Sequence, residues 1–229
     1  MNNILIGVLA LCATIIIYYF MQKLYKKWSN PFLLPVLTST IIIAFFLLIF
    51  DIPYQTYMVG GKWLDWLLGP AVVALAYPLY NQWNILKTYP LSILAGIILG
   101  AVIGIVSGLL LTKWLLFDDA IIYSLIPKNS TTPVAMEIAS SLSGIPPLAA
   151  VFVMIAGIGG AVIGPTLLKW FKIHHYLGRG VGMGSGSHAI GITKSMENGE
   201  KEGAVSTVAM TLSAVIVSIL SPICVYLLM

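Results

Sequence analysis

A short stretch of glycine and polar residues interrupts an otherwise apolar chain and is suited to binding a small solute. From Gly178 to Ser195 the sequence reads GRGVGMGSGSHAIGITKS, in which glycine alternates with other residues and Ser185, Ser187 and His188 follow. Glycine inside a helix costs about 1 kcal/mol relative to alanine. Unpaired backbone N–H groups are tolerated at membrane depth only where they line a cavity or are covered by protein. The pattern therefore predicts a broken membrane segment that forms part of a small-anion site.

A second polar break lies between two short apolar runs in residues 118–145, read as DDAIIYSLIPKNSTTPVAMEIASSLSG from Asp118 to Gly144. A helix that begins here would carry about half a positive charge and free N–H donors at its first turn, which suits a carboxylate. Lys128 adds a full charge, or alternatively extends its side chain to the membrane interface. The candidate binding residues of this break are Lys128, Asn129, Ser130, Thr131, Thr132 and Pro133.

A third break, LGPAVVALAYPLY, completes the predicted site. It contributes Gly69, Pro70, Tyr77 and Pro78, and the glycine-rich stretch contributes Gly184, Ser185, Gly186, Ser187 and His188. Histidine titrates near neutral pH, so His188 is a candidate proton carrier, or alternatively a neutral hydrogen-bonding group between helices. Glu137 is a second proton-coupling candidate, and it could instead pair with Lys128 or Lys194.

Composition limits the class of protein. The chain has 229 residues, of which 59% are hydrophobic and only 9% are charged, so we expect an integral membrane protein built only from α-helices. The net charge of +4 comes from short turns between apolar runs, which favours membrane topology over nucleic-acid binding. Cys12 and Cys224 lie in apolar runs and indicate neither a disulfide nor a metal site. Gly186 to Gly191 lacks the Lys and Ser/Thr of a phosphate-binding loop, and we expect no catalytic residues and no cofactor.

The apolar runs predict about seven membrane spans. With the glycine-rich stretch, they are Ile4 to Met21, Pro31 to Phe50, Leu64 to Tyr80, Leu91 to Leu111, Leu148 to Leu168 and Ala204 to Leu228. Three turns are basic without any acidic residue and are predicted to be cytoplasmic: Lys23, Lys26, Lys27, Lys87, Lys169, Lys172 and Arg179. The acidic turns, which include Asp118, Glu197, Glu200 and Glu202, then lie outside. This assignment places the N-terminus outside and the C-terminus in the cytoplasm.

The same assignment requires residues 118–145 to enter the membrane and return, as a re-entrant segment, although a fully crossing broken helix remains an alternative. It divides the chain into an N-terminal span (1–30), a first repeat (31–117), the re-entrant segment (118–145) and a second repeat (146–229). Each repeat has a long, an interrupted and a long apolar run, in opposite directions. The hydropathy pattern therefore predicts an inverted repeat with broken helices, as in secondary transporters.

Three blocks together resemble the LrgB/CidB family of bacterial membrane proteins. They are LGPAVVALAYPLYNQ, IPKNSTTPVAMEI and GMGSGSHAIGITKSMENGEKEGAVSTVAM, starting at Leu68, Ile126 and Gly182. The family is itself similar to the C-terminal half of the plastid glycolate/glycerate translocator. The resemblance implies a bacterial plasma-membrane location and a smaller, holin-like LrgA/CidA-type partner. It also implies one of two functions: transport of small carboxylates such as pyruvate or glycolate, or antiholin-like control of murein hydrolase activity, autolysis and programmed cell death. Ile192, Ser195 and Asn129 depart from the pattern expected of the family.

Overall fold

The computed structural model describes residues 2–28, 33, 35–74 and 76–229, and its regular structure is helical throughout these ranges. The all-helical prediction is therefore confirmed for the described residues. Four helices there are long and apolar enough to cross a membrane, together with one shorter apolar helix at Leu37–Ile49. The predicted span from Leu64 to Tyr80 is instead divided among the end of one helix and two short ones. The contacts divide the chain into two compact units, Met1–Ala71 and Val72–Met229.

The first unit contains the helices α1 (Asn2–Trp28), α2 (Pro35–Ile49) and α3 (Tyr54–Asp65), and α4 (Leu68–Ala74) begins in it. Glycine allows α1 and α3 to pack closely, because a Cβ atom on Gly60 would overlap the carbonyl of Gly7. The hydroxyls of Thr14 and Tyr57 form a hydrogen bond of 3.0 Å across the same contact.

The second unit is organised around three long helices: α7 (Pro90–Trp114), α10 (Pro146–Trp170) and α12 (Glu200–Leu228). Two short helices, α5 (Ala76–Asn81) and α6 (Trp83–Thr88), precede them. Buried aliphatic side chains join α7 to α12 at two levels, through Ile97 and Val208 near one end and Ile105 and Val217 further along. The segments between the long helices carry the predicted polar breaks.

Residues 118–145, the first hairpin, connect α7 to α10. They form α8 (Asp119–Leu125), a 3-10 turn (Ile126–Asn129) and α9 (Thr132–Ser141). The end of the first hairpin lies beside the end of α8, because the Ile145 amide donates a 2.7 Å hydrogen bond to Ser124 Oγ. Pro127 and Pro133 occupy the first turns of the 3-10 turn and of α9, where a missing N–H leaves no helical bond unmade.

Residues 176–198, the second hairpin, connect α10 to α12. They form α11 (Tyr176–Asn198), which contains a reversal at His188, where φ is 51° and ψ is −137°. The second half folds back on the first, since a Cβ atom on Gly191 would overlap the carbonyl of Met183. The first hairpin ends where α10 starts and the second begins where α10 ends. They therefore enter from opposite ends of a helix about 36 Å long.

This reversal corrects the predicted topology. The sequence placed Arg179 in the cytoplasm and Glu202 outside, but Arg179 Nε lies 2.8 Å from Glu202 Oε2. The prediction was wrong because the glycine-rich stretch turns back at His188 instead of crossing.

Helix α12 consequently runs toward the end of α7, where Lys113 Nζ donates to the Leu228 carbonyl at 2.9 Å. The C-terminus thus lies at the opposite end of the second unit from Lys169 and Arg179, not at the same end. The predicted side of the N-terminus and the predicted domain boundaries stay predictions.

Candidate functional site

The tip of the first hairpin presents its polar side chains to α7. Lys128 Nζ donates a 2.6 Å hydrogen bond to the Gly104 carbonyl. A Cβ atom on Gly108 would lie 2.6 Å from the same ammonium, and one on Gly104 would overlap Asn129 Nδ2. The two glycines therefore provide the space in which the tip side chains lie.

Glycines lie four residues apart on α7, from Gly96 to Gly108, a spacing typical of close contact between helices. In the structure, they contact side chains from both hairpins instead. A Cβ atom on Gly96 would lie 2.9 Å from Val181, and one on Gly100 would lie 3.7 Å from Ser185 Oγ.

The tips of the two hairpins touch at His188. Its Nε2 lies 2.9 Å from the Lys128 carbonyl, so Nε2 carries the proton and donates it. The imidazole is only 5% exposed. This contact brings together the two polar breaks that the sequence singled out, and it is also the hydrogen bond expected of a histidine with a structural role.

The second hairpin packs closely against α10 and α12 because glycines leave space at the contacts. A Cβ atom on Gly184 would overlap the Ser206 carbonyl of α12, and one on Gly160 of α10 would overlap the hydroxyl of Ser187. Gly184 and Ser187 therefore serve helix packing in this structure. Gly186 differs, because none of the described residues outside its own helical turns has an atom within 4 Å of the place its Cβ would take.

A cavity of about 470 Å³ separates α7 from the first half of α11. It extends from Asn129 at the hairpin tip to Ser92 and Leu177, near the starts of α7 and α11. Among the described residues, the lining contains no charged side chain and consists of Ser92, Gly96, Gly100, Asn129, Leu177, Gly178, Val181, Gly182, Ser185 and Gly186. At the starts of the two helices, a hydrogen bond with Tyr89 raises the pKa of Tyr176.

Three of the predicted site residues, Asn129, Ser185 and Gly186, thus line one cavity. Ser130 and Thr131 follow Asn129 in the sequence and are buried, and the hydroxyl of each has no hydrogen-bond partner in the part of the chain that the structure describes. Thr132 and Pro133 are half-buried in the first turn of α9.

The third predicted break is placed differently. Gly69 and Pro70 belong to the first unit, whereas Tyr77 lies in the second, is 70% exposed and is absent from the cavity lining. The side chain of Pro78 lies outside the described residues.

The predicted pairing of Glu137 with Lys128 or Lys194 is wrong. Lys128 bonds to a carbonyl, and Lys194 pairs with Glu197, one turn away on the same helix. Glu137 is exposed on α9.

Sequence reasoning missed the contribution of α12. Ser213 Oγ donates a 3.1 Å hydrogen bond to the Asn129 carbonyl, so α12 also holds the hairpin tip. A signal was available, because Ser206 and Ser213 are seven residues apart in an apolar run and must share one helix face.

Comparisons with known proteins agree with the resemblance seen in the sequence. The model of the LrgB-like family matches residues 14–227. The uncharacterized protein YxaC of Bacillus subtilis is 46% identical over 227 residues, covering 99% of both chains. The holin-like protein CidB of Staphylococcus aureus is 34% identical, also over 99% of both chains. No solved structure matches the chain. The chain therefore belongs to the LrgB-like family of membrane proteins.

Proposed function

We propose that this chain is a membrane transporter, or the transporting subunit of a pair, for small monocarboxylates such as pyruvate or glycolate. One observation carries the proposal: the tips of the two hairpins touch, with His188 Nε2 2.9 Å from the Lys128 carbonyl. The cavity beside this contact reaches Asn129. Broken helices that meet near the membrane midplane form the substrate sites of many secondary transporters. The tips meet near the middle of α10, where Gly160 contacts Ser187.

The charge at the tips supports an anionic substrate. The Lys128 ammonium has three N–H donors, and the Gly104 carbonyl takes one of them. The first turn of α9 has no side-chain cap, so its N–H groups and its positive dipole end also face the tip region. The hydroxyls of Ser130 and Thr131 add two further unpartnered groups. A carboxylate bound at this place would gain hydrogen-bond donors and a positive charge. The site supplies them without an ion pair that is permanently buried in the protein.

The connectivity supports alternating access. Helix α7 with the first hairpin and α10 with the second hairpin have the same order of elements and opposite directions along the bundle. We place the inverted repeat in these two blocks, rather than in the two that hydropathy alone indicated. Movement of α7 relative to the second hairpin would then close the present cavity and open one at the other end of the unit.

The basic residues indicate which end faces the cytoplasm. Lys87, Lys169, Lys172 and Arg179 lie near the starts of α7 and α11, toward which the cavity extends. The positive-inside rule places this end in the cytoplasm. The cavity is then open inward, and the C-terminus lies outside. His188 remains the first candidate for proton coupling and the exposed Glu137 the second.

A second function is favoured by one finding, the name of a relative. CidB of Staphylococcus aureus is called holin-like. A regulator that restrains a holin-like LrgA/CidA-type partner, and so limits murein hydrolase activity and autolysis, would carry that name without transporting a solute. Such a regulator needs no polar groups at the hairpin tips, whereas a transporter does.

Uptake into proteoliposomes tests the proposal. The purified chain, alone and with an LrgA/CidA-type partner, is reconstituted and supplied with labelled pyruvate or glycolate. We expect saturable uptake that Lys128→Ala reduces at least tenfold and that Lys113→Ala leaves unchanged. The control is matched, because both lysines donate to a backbone carbonyl but Lys113 lies at the far end of α7. Leakage of a large dye through the partner that this chain suppresses, without saturable acid uptake, would support the regulator instead.

A further inference from the structure

A second cavity, of about 700 Å³, lies at the base of the second hairpin, where its two legs meet. Three helices each contribute one cation to its lining: Lys169 near the end of α10, Arg179 near the start of α11 and Lys201 at the start of α12. This cavity therefore differs from the one between α7 and α11, whose described lining is uncharged.

One acid of the lining is already neutralised. Glu202 is buried, and its two carboxylate oxygens accept hydrogen bonds from Arg179 at 2.8 Å and from Asn198 at 3.0 Å. Arg179 uses only its Nε–H group in this pair, so the four N–H groups on its two terminal nitrogens remain for another acceptor.

The two lysines have no counter-charge of this kind. Lys169 and Lys201 form neither an ion pair nor a hydrogen bond within the described ranges of the chain. Glu200 is the one further acid among the described lining residues, and it is exposed. Two lysines thus share the cavity with one carboxylate, and the remaining net positive charge attracts an anion.

The residues next to Lys169 place the cavity at the level of lipid headgroups. Trp170 and Phe171 follow it directly, and both rings are largely exposed. Exposed aromatic rings at the end of an apolar helix are typical of the membrane–water interface. Before Lys169, the side chains of Ile163 and Leu167 are also exposed and give α10 an apolar surface that acyl chains can cover.

We propose that this cavity binds the phosphate headgroup of an anionic phospholipid, whose acyl chains lie along α10; this inference goes beyond the proposed transport function and does not depend on it. Basic cavities between membrane helices on the cytoplasmic side suit such headgroups. The phosphate accepts from Lys169 and Lys201 and from the free N–H groups of Arg179, whose forked geometry fits phosphate oxygens. The lipid therefore joins α10, α11 and α12 at the base of the second hairpin.

Binding of phosphatidylglycerol to the purified full chain in neutral detergent tests the inference. Native mass spectrometry counts the bound molecules, and thermal unfolding is followed as lipid is added. We expect phosphatidylglycerol to raise the unfolding temperature and to bind roughly fivefold or more tightly than phosphatidylcholine, whose choline would lie near the lysines. Equal binding of the two lipids would overturn the proposal.

Variants of the lining residues locate the binding. Lys169→Gln and Lys201→Gln should each weaken phosphatidylglycerol binding about fivefold, through loss of one cation beside the phosphate. Glu200→Gln should tighten binding by a similar factor of about five, because it removes the unpaired negative charge. Both lysines are exposed and unpaired in the structure as described, so their replacement should leave the unfolding temperature without lipid unchanged.

Lys172→Gln is the matched control. Lys172 has the same charge and is exposed just beyond α10, but it does not line the cavity. Its replacement should change the affinity by less than about twofold. If Lys172→Gln weakened binding as much as Lys201→Gln, or if Glu200→Gln did not tighten it, the lipid would be attracted by the net charge of this end alone, and the site would be overturned.

Soluble phosphates distinguish a lipid from other carriers of the same group. Glycerol phosphate and inorganic phosphate lack acyl chains, so we expect neither to raise the unfolding temperature. If either one stabilised the chain as much as phosphatidylglycerol, the cavity would take a soluble phosphate, and the assignment to a lipid would be overturned. These measurements do not involve uptake, so a failure of the transport function would leave the inference standing.

Discussion

The two hairpins reach the same point in the second unit by opposite means. The first presents long polar side chains at its tip, and Lys128 and Asn129 extend into space left by glycines of α7. The second is itself rich in glycine, and its backbone lies directly against α10 and α12. The first hairpin therefore supplies the polar groups of the site. The second supplies a closely packed surface, the wall, which is the glycine-rich backbone of α11.

The hairpins also differ where their two legs meet. In the first, one neutral hydrogen bond joins Ser124 to Ile145. In the second, the carboxylate of Glu202 accepts from Arg179 of one leg at 2.8 Å and from Asn198 of the other at 3.0 Å. Charge thus fastens the glycine-rich wall to α12, so we expect wall and α12 to move together. The predictions below test this difference.

The largest effect is expected from Glu202→Gln. Side chains of Arg179 and Glu202 are 14% and 6% exposed, so the variant leaves a guanidinium largely buried without its counter-charge. Breaking a buried pair in this way lowers the free energy of unfolding by about 3–5 kcal/mol. Unfolding in detergent, followed by tryptophan fluorescence, measures it. The control is Glu197→Gln, because the Lys194 to Glu197 pair is 35% and 47% exposed and should change stability by less than about 0.5 kcal/mol. Equal effects would show that charge does not fasten the second hairpin.

Gly184→Ala tests the close packing of the wall. The new methyl would overlap the Ser206 carbonyl, and backbone must move to accept it. Overpacking of this kind destabilises by about 1–3 kcal/mol. In Gly186→Ala the methyl meets no atom within 4 Å, so the free energy of unfolding should stay level or rise. Both variants are compared in the same unfolding assay, and a loss of stability in Gly186→Ala equal to that in Gly184→Ala would contradict the assignment of the packed face.

The reversal of the second hairpin is tested by comparing His188→Ala with His188→Gly. Both variants lose the hydrogen bond to the Lys128 carbonyl, so their difference reports the backbone alone. At φ of 51° and ψ of −137°, glycine is favoured over alanine. We expect His188→Gly to be more stable by about 1–2 kcal/mol in the unfolding assay, even though glycine makes the unfolded chain more flexible. Equal stability would mean that the chain does not reverse at this residue.

The sequence predicted the elements better than their directions. Helix-length apolar runs identified α7, α10 and α12, and the polar blocks around Lys128 and His188 identified the two tips, because composition alone determines which segments can face lipid. The direction of the second hairpin was missed, since its reversal depends on one backbone conformation at His188 that no periodicity shows. The partners of the tips were missed for a related reason. Gly104 belongs to a series of glycines four residues apart and Ser213 to a helix face with Ser206, but neither pattern shows which side chain or carbonyl it contacts.

The smallest effect is expected at the base of the first hairpin, in Ser124→Ala. Ser124 Oγ accepts from the Ile145 amide at 2.7 Å and donates to the Ala120 carbonyl at 2.6 Å. Its removal leaves one backbone N–H without a partner, which lowers the free energy of unfolding by about 1 kcal/mol. Ser141→Ala is the matched control, because Ser141 donates only within its own helix, to the Ile138 carbonyl. It should change stability by less than about 0.5 kcal/mol. If Ser124→Ala lowered the free energy of unfolding as much as Glu202→Gln does, the first hairpin would be held as firmly as the second. The two hairpins would then not differ as a loosely held hairpin with a polar tip and a wall bound to α12.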